Sequence, residues 1–150
     1  METKTFSASS FARGASSNRS PAALAYLGDA VLEVMVRKHL VSQGFSNPGV
    51  LNELAKTFVT APQQSIGVEA LLPHLTEEEL NCYKRGRNES GPHPKNASVQ
   101  EYRRATGLEA LFGWLNLSNQ TERAEELFSL YLSAFSGQSK GTPVPEDSLD

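Results

Sequence analysis

The chain has 150 residues, of which 39% are hydrophobic and 21% are charged, and its net charge at pH 7 is -3. This length and apolar content suit one compact domain with its own core, and the negative charge excludes a molecule-wide basic field, so any nucleic-acid surface must be a local patch. The single cysteine excludes an internal disulfide framework and a cysteine zinc site, and no apolar run reaches the roughly 20 residues that span a bilayer, so we expect no membrane partner.

The first predicted helix follows a Ser-rich stretch, residues 1–20, which we expect to be a flexible leader. We expect a cytoplasmic location, with the plastid stroma as the alternative if this stretch is a remnant of a transit peptide, whose composition it shares. Ser20 before Pro21 is typical of a helix N-terminus, and apolar residues then recur at helical spacing to about Val41. The pattern predicts a helix over about 21–41.

Three more helices are predicted between residue 47 and about residue 87. Asn47 and Pro48 repeat the start signal, and a less regular apolar segment follows Pro62. Thr76 and Glu79 have the spacing of a capping box, in which each residue satisfies a backbone N–H group of the other. A helix is therefore expected to begin just after Thr76.

A loop and a long helix are predicted next. Gly and Pro are concentrated in residues 89–97, which favours a mobile loop. Ser98 and Glu101 form a second potential capping box, and apolar and small residues continue from there to about Leu117. The small residues of this helix would allow another helix to approach closely.

The C-terminal part of the chain is predicted to hold one more helix, over about 121–135. Residues 136–150 are dominated by Gly, Ser, Pro and acids, which indicates a disordered tail. No segment shows the alternation of a β-strand. The sequence therefore predicts a single all-α domain, residues 21–135, with five to seven helices.

Two acidic residues lie in apolar helical settings. Asp29 follows Gly28, whose missing side chain weakens a helix by about 1 kcal/mol relative to Ala but would let a partner helix come close. Glu109 lies among small and apolar residues, where burying a carboxylate is costly unless it is paired or bound to metal. If the two helices cross there, the two carboxylates would suit Mg²⁺, which takes few protein ligands and promotes phosphodiester hydrolysis.

Other interpretations of these acids stay open. Taken alone, Asp29 is more often a solvated acid paired with a cation, and any chain of this size contains many pairs of distant acids. Glu33 lies one helical turn after Asp29 and four residues before Arg37. That spacing favours a structural ion pair between Glu33 and Arg37.

Positive charge is concentrated between residues 84 and 104, where six Lys and Arg residues stand against two Glu. Such a surplus in a chain of negative net charge indicates a polyanionic partner, because Lys and Arg follow phosphates and amide side chains reach 2′-hydroxyl groups. A solvated basic loop without a ligand is the alternative. The residues predicted to contact RNA are Lys84, Arg85, Arg87, Asn88, Lys95, Asn96, Gln100 and Arg103.

Two segments of the chain resemble the ribonuclease III family. LAYLGDAVLE at 24–33 is similar to the signature helix of that family, and RATGLEALFG at 104–113 is similar to its second catalytic segment. Further motifs resemble the Mini-ribonuclease III branch, which occurs in bacteria and plastids and lacks a double-stranded RNA-binding domain. In chain order they are KRGRN at 84–88, PKN at 94–96 and VQEYR at 99–103. The resemblance covers about Leu24 to Phe135.

The resemblance implies an all-helical homodimer that hydrolyses double-stranded RNA with Mg²⁺. It also implies a role in maturing the precursor of large-subunit (23S) ribosomal RNA, with a ribosomal protein or the pre-ribosome as a further partner. The resemblance transfers the catalytic and metal-binding roles to Asp29 and Glu109 only, because Ala25 and Thr106 stand where the full-length enzymes have two further carboxylates. The resemblance to the Mini branch implies the same reduced set of acids. The alternatives are a non-catalytic RNA-binding or ribosome-assembly module of the same fold, and a helical protein-interaction adaptor.

Overall fold

Six α-helices and one 3₁₀ turn make up the part of the chain that this computed structural model describes, which is residues 19–93, 95 and 98–141, the last six as backbone only. The elements are α1 (Pro21–Ser42), α2 (Pro48–Val59), α3 (Ala61–Leu71), the 3₁₀ turn (Leu72–His74), α4 (Glu77–Asn88), α5 (Val99–Leu117) and α6 (Thr121–Gly141). No strand occurs among these residues. The predicted all-α class is confirmed.

The starts of the helices follow the predicted capping side chains. Ser20 and Asn47 accept hydrogen bonds from backbone N–H groups in the first turns of α1 and α2. Thr76 and Glu79 form the complete capping box at α4, with bonds of 2.9 and 3.2 Å. At α5, the Ser98 hydroxyl accepts a hydrogen bond from the backbone N–H of Glu101, which is half of the predicted capping box. Local polar side chains thus define where these helices begin.

The central helix of the fold is α5. It contacts α1, α3, α4 and α6, and ten of its 19 residues are buried. Leu108, Leu111 and Phe112 are almost fully enclosed by the other helices. Because α5 is packed on several sides, its middle turns, which include Glu109, are held firmly in the core.

The backbones of α1 and α5 touch where the two helices cross. A Cβ atom on Gly28 would overlap the carbonyl oxygen of Glu109, and one on Gly113 would overlap the carbonyl oxygen of Leu24. Only glycine fits at such a contact, so the close approach that the sequence predicted at Gly28 is confirmed. The crossing brings Asp29, the next residue of α1, beside Glu109.

The last helix extends past its predicted end. The sequence placed that end near Phe135, whereas α6 continues to Gly141, six residues further. Each residue added to an existing helix gains a hydrogen bond without a new nucleation cost, so a helix can continue through weak helix formers. The other residues of the predicted leader and tail, 1–18 and 142–150, lie outside the described residues.

None of the described helices has both the length and the apolar character of a membrane span.

Candidate active site

Asp29 on α1 and Glu109 on α5 form a pair of carboxyl groups at the helix crossing. Asp29 is exposed and Glu109 is half-buried, and the two side chains are hydrogen-bonded. Burial raises the pKa of Glu109 to about 8, and the charge of Asp29 and the hydrogen bond between them contribute to the same shift. At neutral pH, Glu109 of the metal-free protein therefore keeps its proton.

The Asp29–Glu109 pair offers oxygen ligands to a divalent cation. A cation can replace the proton of Glu109 and bind both carboxyl groups, and Mg²⁺ commonly binds to one or two protein carboxylates while keeping several waters. No group of three or more His, Cys, Asp and Glu residues in the described part of the chain could hold a metal ion. A cation at the pair would therefore take its other ligands from water and substrate.

Two polar side chains near the pair are engaged with other partners. Ala25 has no polar side-chain atom, and the Thr106 hydroxyl donates to the carbonyl of Tyr102 within α5, at 2.9 Å. The carboxylate of Glu33 is paired with Arg37 at 2.9 Å, as the sequence predicted. Thr106 and Glu33 therefore both interact with residues outside the Asp29–Glu109 pair.

Four of the eight residues predicted to contact RNA line one groove. The α4–α5 groove has a volume of about 360 Å³ and lies between the end of α4 and the start of α5. Its lining residues are Arg87, Asn88, Val99, Gln100, Arg103 and Arg104. Sequence reasoning placed Arg104 in the basic region but left it out of the RNA-contact set, although its spacing of four residues from Gln100 puts both on one side of a helix.

The other predicted contacts lie outside the α4–α5 groove. Lys84 is exposed on α4, one turn before Asn88, and Lys95 is exposed in the loop before α5. Arg85 is turned away, since its Nη2 donates to the carbonyl of Arg19 at 3.2 Å and its Nε lies 3.8 Å from Glu89. Asn96, the last of the eight, lies outside the described residues.

Comparison with known proteins identifies the family of this chain. Residues 22–120 match the model of the Ribonuclease III domain, and this span contains the Asp29–Glu109 pair and the α4–α5 groove. The chain belongs to the ribonuclease III family. It is therefore a nuclease of that family, as its motifs predicted.

Relatives from the ribonuclease III family match most of the chain. Mini-ribonuclease 3 of Enterococcus faecalis is 49% identical over 110 residues, which cover 71% of this chain and 83% of the relative. Mini-ribonuclease 3 of Desulfitobacterium hafniense is 41% identical over 128 residues, which cover 83% of this chain and 82% of the relative. The crystal structure of a protein from Fusobacterium nucleatum matches the fold with a TM-score of 0.68 and 32% identity, over 77% of this chain and 94% of the other. The predicted resemblance to the Mini branch is confirmed.

Proposed function

We propose that this ribonuclease III family member is a Mg²⁺-dependent endoribonuclease that hydrolyses phosphodiester bonds in double-stranded RNA. The observation that carries the proposal is the hydrogen-bonded Asp29–Glu109 pair at the crossing of α1 and α5. The substrate that we propose for the enzyme is the precursor of large-subunit (23S) ribosomal RNA in the cytoplasm. A ribosomal protein or the pre-ribosome is proposed as a further partner. The motifs shared with the Mini branch support that choice, as does the similarity to Mini-ribonuclease 3 relatives.

Asp29 and Glu109 have different roles in the pair because they differ in burial. Both carboxylates would hold the ion, which when bound would supply a more acidic water and stabilise charge on the phosphate oxygens. Asp29 is exposed, so a phosphate from solution can reach it. Glu109 is half-buried on the central helix, which keeps its carboxyl group in one place as it loses its own proton.

The basic surface supports an RNA substrate. Lys84, Lys95 and the three arginines of the α4–α5 groove give the chain a local positive region despite its net charge of -3. Binding through such a region depends on counterion release, so it weakens steeply as salt rises. We expect the protein to bind RNA well only at low to moderate ionic strength.

Exposed apolar side chains on α1 support the proposed homodimer. Tyr26 is 85% exposed and Val34 is 54% exposed, and both lie on the helix that carries Asp29. Aromatic side chains are enriched at the cores of protein interfaces, so an exposed tyrosine on this helix fits a surface that a protein partner covers. A twofold dimer built on α1 would carry two Asp29–Glu109 pairs, one for each strand of a duplex.

The experiment that tests the proposed function is cleavage of a precursor ribosomal RNA stem in Mg²⁺. Asp29→Asn and Glu109→Gln should each slow cleavage by about a hundredfold or more, which is the scale of losing one group that acts directly in the chemistry. Glu33→Gln is the matched control, because it removes a carboxylate from the same face of α1 that is already paired with Arg37. It should cut at close to the wild-type rate.

Two outcomes would contradict the proposal. Unimpaired cutting by Asp29→Asn or Glu109→Gln would reject their catalytic roles. A wild-type protein that binds the stem but does not cut it, with and without added Mg²⁺, would instead favour the non-catalytic RNA-binding or ribosome-assembly module.

A further inference from the structure

The α4–α5 groove is separate from the Asp29–Glu109 pair. Arg104 precedes Glu109 by five residues, and with about 100° of rotation per residue their side chains leave α5 roughly 140° apart. The pair lies where α5 crosses α1, whereas the groove lies where the first turns of α5 meet the end of α4. A group bound in the groove would therefore not occupy the proposed cleavage site.

The charges around the groove favour an anion. Its described lining residues include three arginines and no acid. Arg103 is exposed and forms no ion pair with any described residue, so its charge is available to a ligand. The amide groups of Asn88 and Gln100, which also line the groove, add neutral donors. The volume of about 360 Å³ is within the range of roughly 300–1,000 Å³ usual for ligand sites.

Arg104 is held from one end. Its Nη1 atom donates to the hydroxyl of Ser65 at 3.4 Å and to a carboxylate oxygen of Glu69, both on α3. Its Nε and Nη2 atoms make no hydrogen bond with any described residue, which leaves three N–H donors for another partner. Glu69 is 61% exposed, so the ion pair lies within reach of solvent and of a competing anion.

Arg87 is held against a buried aromatic ring. Its guanidinium carbon lies 5.8 Å from the centroid of the Tyr83 ring, and its Nε donates to Asn88 at 3.1 Å. Tyr83 is buried and packs so closely on Gly107 of α5 that a Cβ atom there would meet the ring. An arginine restrained in this way loses less conformational entropy when it binds a ligand.

We propose that the α4–α5 groove is a phosphate subsite for the backbone of duplex RNA, in which Arg104 is a binding residue. Phosphate must either displace Glu69 from the Arg104 guanidinium or share that guanidinium with it. The proposal rests on the proposed function, because it takes duplex RNA as the substrate. Arginine suits this role, since its fork of N–H donors binds phosphate oxygens in pairs. The carboxylate of Glu69 positions Arg104 in the free protein and also limits its affinity for RNA.

The test measures binding of a fluorescently labelled 20-base-pair RNA duplex by anisotropy, in EDTA and over a range of salt concentrations. Arg104→Gln should weaken binding about fivefold to tenfold and reduce the slope of log affinity against log salt by about 1, as expected for one lost phosphate contact. Glu69→Gln should strengthen binding about threefold, because Arg104 is then free of its competitor. This opposite change would not follow if the ion pair were merely structural.

Arg37→Gln is the matched control. Arg37 is also an arginine paired with a glutamate, Glu33, but it lies on α1 outside the groove. Its loss should change the affinity less than twofold. Arg104→Lys keeps the charge without the fork of donors, so it should bind with an affinity between those of the wild type and Arg104→Gln, and thermal melting should show that each variant is folded.

Binding and cleavage results separate this inference from the proposed function. A folded Arg104→Gln protein that binds the duplex within twofold of the wild type would overturn the groove as a phosphate subsite, and so would weaker binding by Glu69→Gln. If the wild type does not cut the duplex in Mg²⁺ but the binding changes appear as expected, the proposed function fails and the subsite stands.

Discussion

The carboxyl group of Glu109 should make the stability of the metal-free protein depend on pH. In the folded state its pKa is raised to about 8, whereas in the unfolded chain it ionises near its ordinary value of 4.5. Between these pH values the folded state binds more protons than the unfolded state. The contribution of Glu109 to stability is therefore fully present below about pH 4.5 and is lost as the pH rises through about 8. Glu109→Gln removes this contribution because an amide does not titrate.

Urea unfolding in EDTA at pH 5 and pH 9 would measure this contribution. From pH 5 to pH 9, the midpoint of the wild type should fall relative to that of Glu109→Gln. Parallel midpoints at the two pH values would contradict the raised pKa of Glu109. All other titrating groups are common to both proteins, so the difference between the two isolates the carboxyl group.

A second single-residue prediction concerns Glu79, which is 2% exposed. Its carboxylate accepts hydrogen bonds from Nε and Nη2 of Arg123, each at 2.8 Å, and from the backbone of Thr76 at 2.9 Å. Burial alone would raise the pKa of Glu79, but these hydrogen bonds and the charge of Arg123 outweigh it and hold the pKa below its ordinary value. The buried carboxylate is therefore charged at neutral pH and depends on Arg123.

Arg123→Ala should lower the free energy of unfolding by about 3 kcal/mol at pH 7, because it leaves a buried charge without its partner. The stabilisation from a lowered pKa is present above about pH 4.5 and is lost as the pH falls through the folded pKa, so the cost should shrink in acid. Arg37→Ala is the control, since it breaks an exposed pair and should cost less than about 1 kcal/mol. Equal losses for the two variants in urea unfolding would contradict this assignment.

At the scale of helices, the crossing of α1 and α5 depends on glycine. Gly28→Ala should gain about 1 kcal/mol of helix propensity but force the new Cβ against the backbone of Glu109, for a net loss of about 2 kcal/mol or more. Because the helices must separate, Asp29 would also move away from Glu109 and cleavage should fall. Gly49→Ala on α2 is the control, since its Cβ would meet only the side-chain oxygen of Asn47, at 3.2 Å.

Urea unfolding and the RNA cleavage assay together check this prediction. Gly49→Ala should stay within about 1 kcal/mol of the wild type and cut normally. If Gly28→Ala were as stable and as active as the wild type, the close backbone contact at the crossing would not be needed to position the carboxylates.

What the sequence could predict about these helices depends on how far apart the interacting residues are in the chain. Ser20, Asn47 and Thr76 define helix starts through bonds to residues no more than three positions away, so their signals are visible locally. The ion pair of Arg123 with Glu79 joins residues 44 apart, and no periodicity encodes it.

The residues of the candidate site also differ in how far the sequence predicts them. The acidic residues of the site were found because Asp29 and Glu109 lie in motifs shared with a known family. The spacing of Arg104 from Gln100 is visible in the sequence, but the groove that both residues line exists only once α4 and α5 are packed. The ion pair of Arg104 with Glu69 joins residues 35 apart on two helices, so no local pattern predicts it.

At the scale of the whole molecule, the proposed dimer depends on Tyr26. Its ring is 85% exposed on α1, three residues before Asp29, so a partner that covers it would also set the distance between the two cleavage sites. Aromatic side chains buried at the centre of an interface commonly contribute 2 kcal/mol or more to binding. Tyr26→Ser should therefore raise the dimer Kd by about thirtyfold or more, as measured by sedimentation equilibrium. Val50→Ser, which truncates a 47% exposed side chain on α2, should leave the dimer Kd unchanged.

The oligomeric state should also change the products of cleavage. A dimer presents two Asp29–Glu109 pairs and can cut both strands in one encounter, whereas a monomer presents one and must release the duplex before the second cut. At protein concentrations between the two dimer Kd values, Tyr26→Ser should give an excess of duplexes nicked in one strand, and the wild type should give double-strand breaks. The two products are separated on native and denaturing gels of a duplex labelled on both strands. A wild type that sediments as a monomer at tens of micromolar would contradict the dimer, and so would a Tyr26→Ser protein with an unchanged Kd and product pattern.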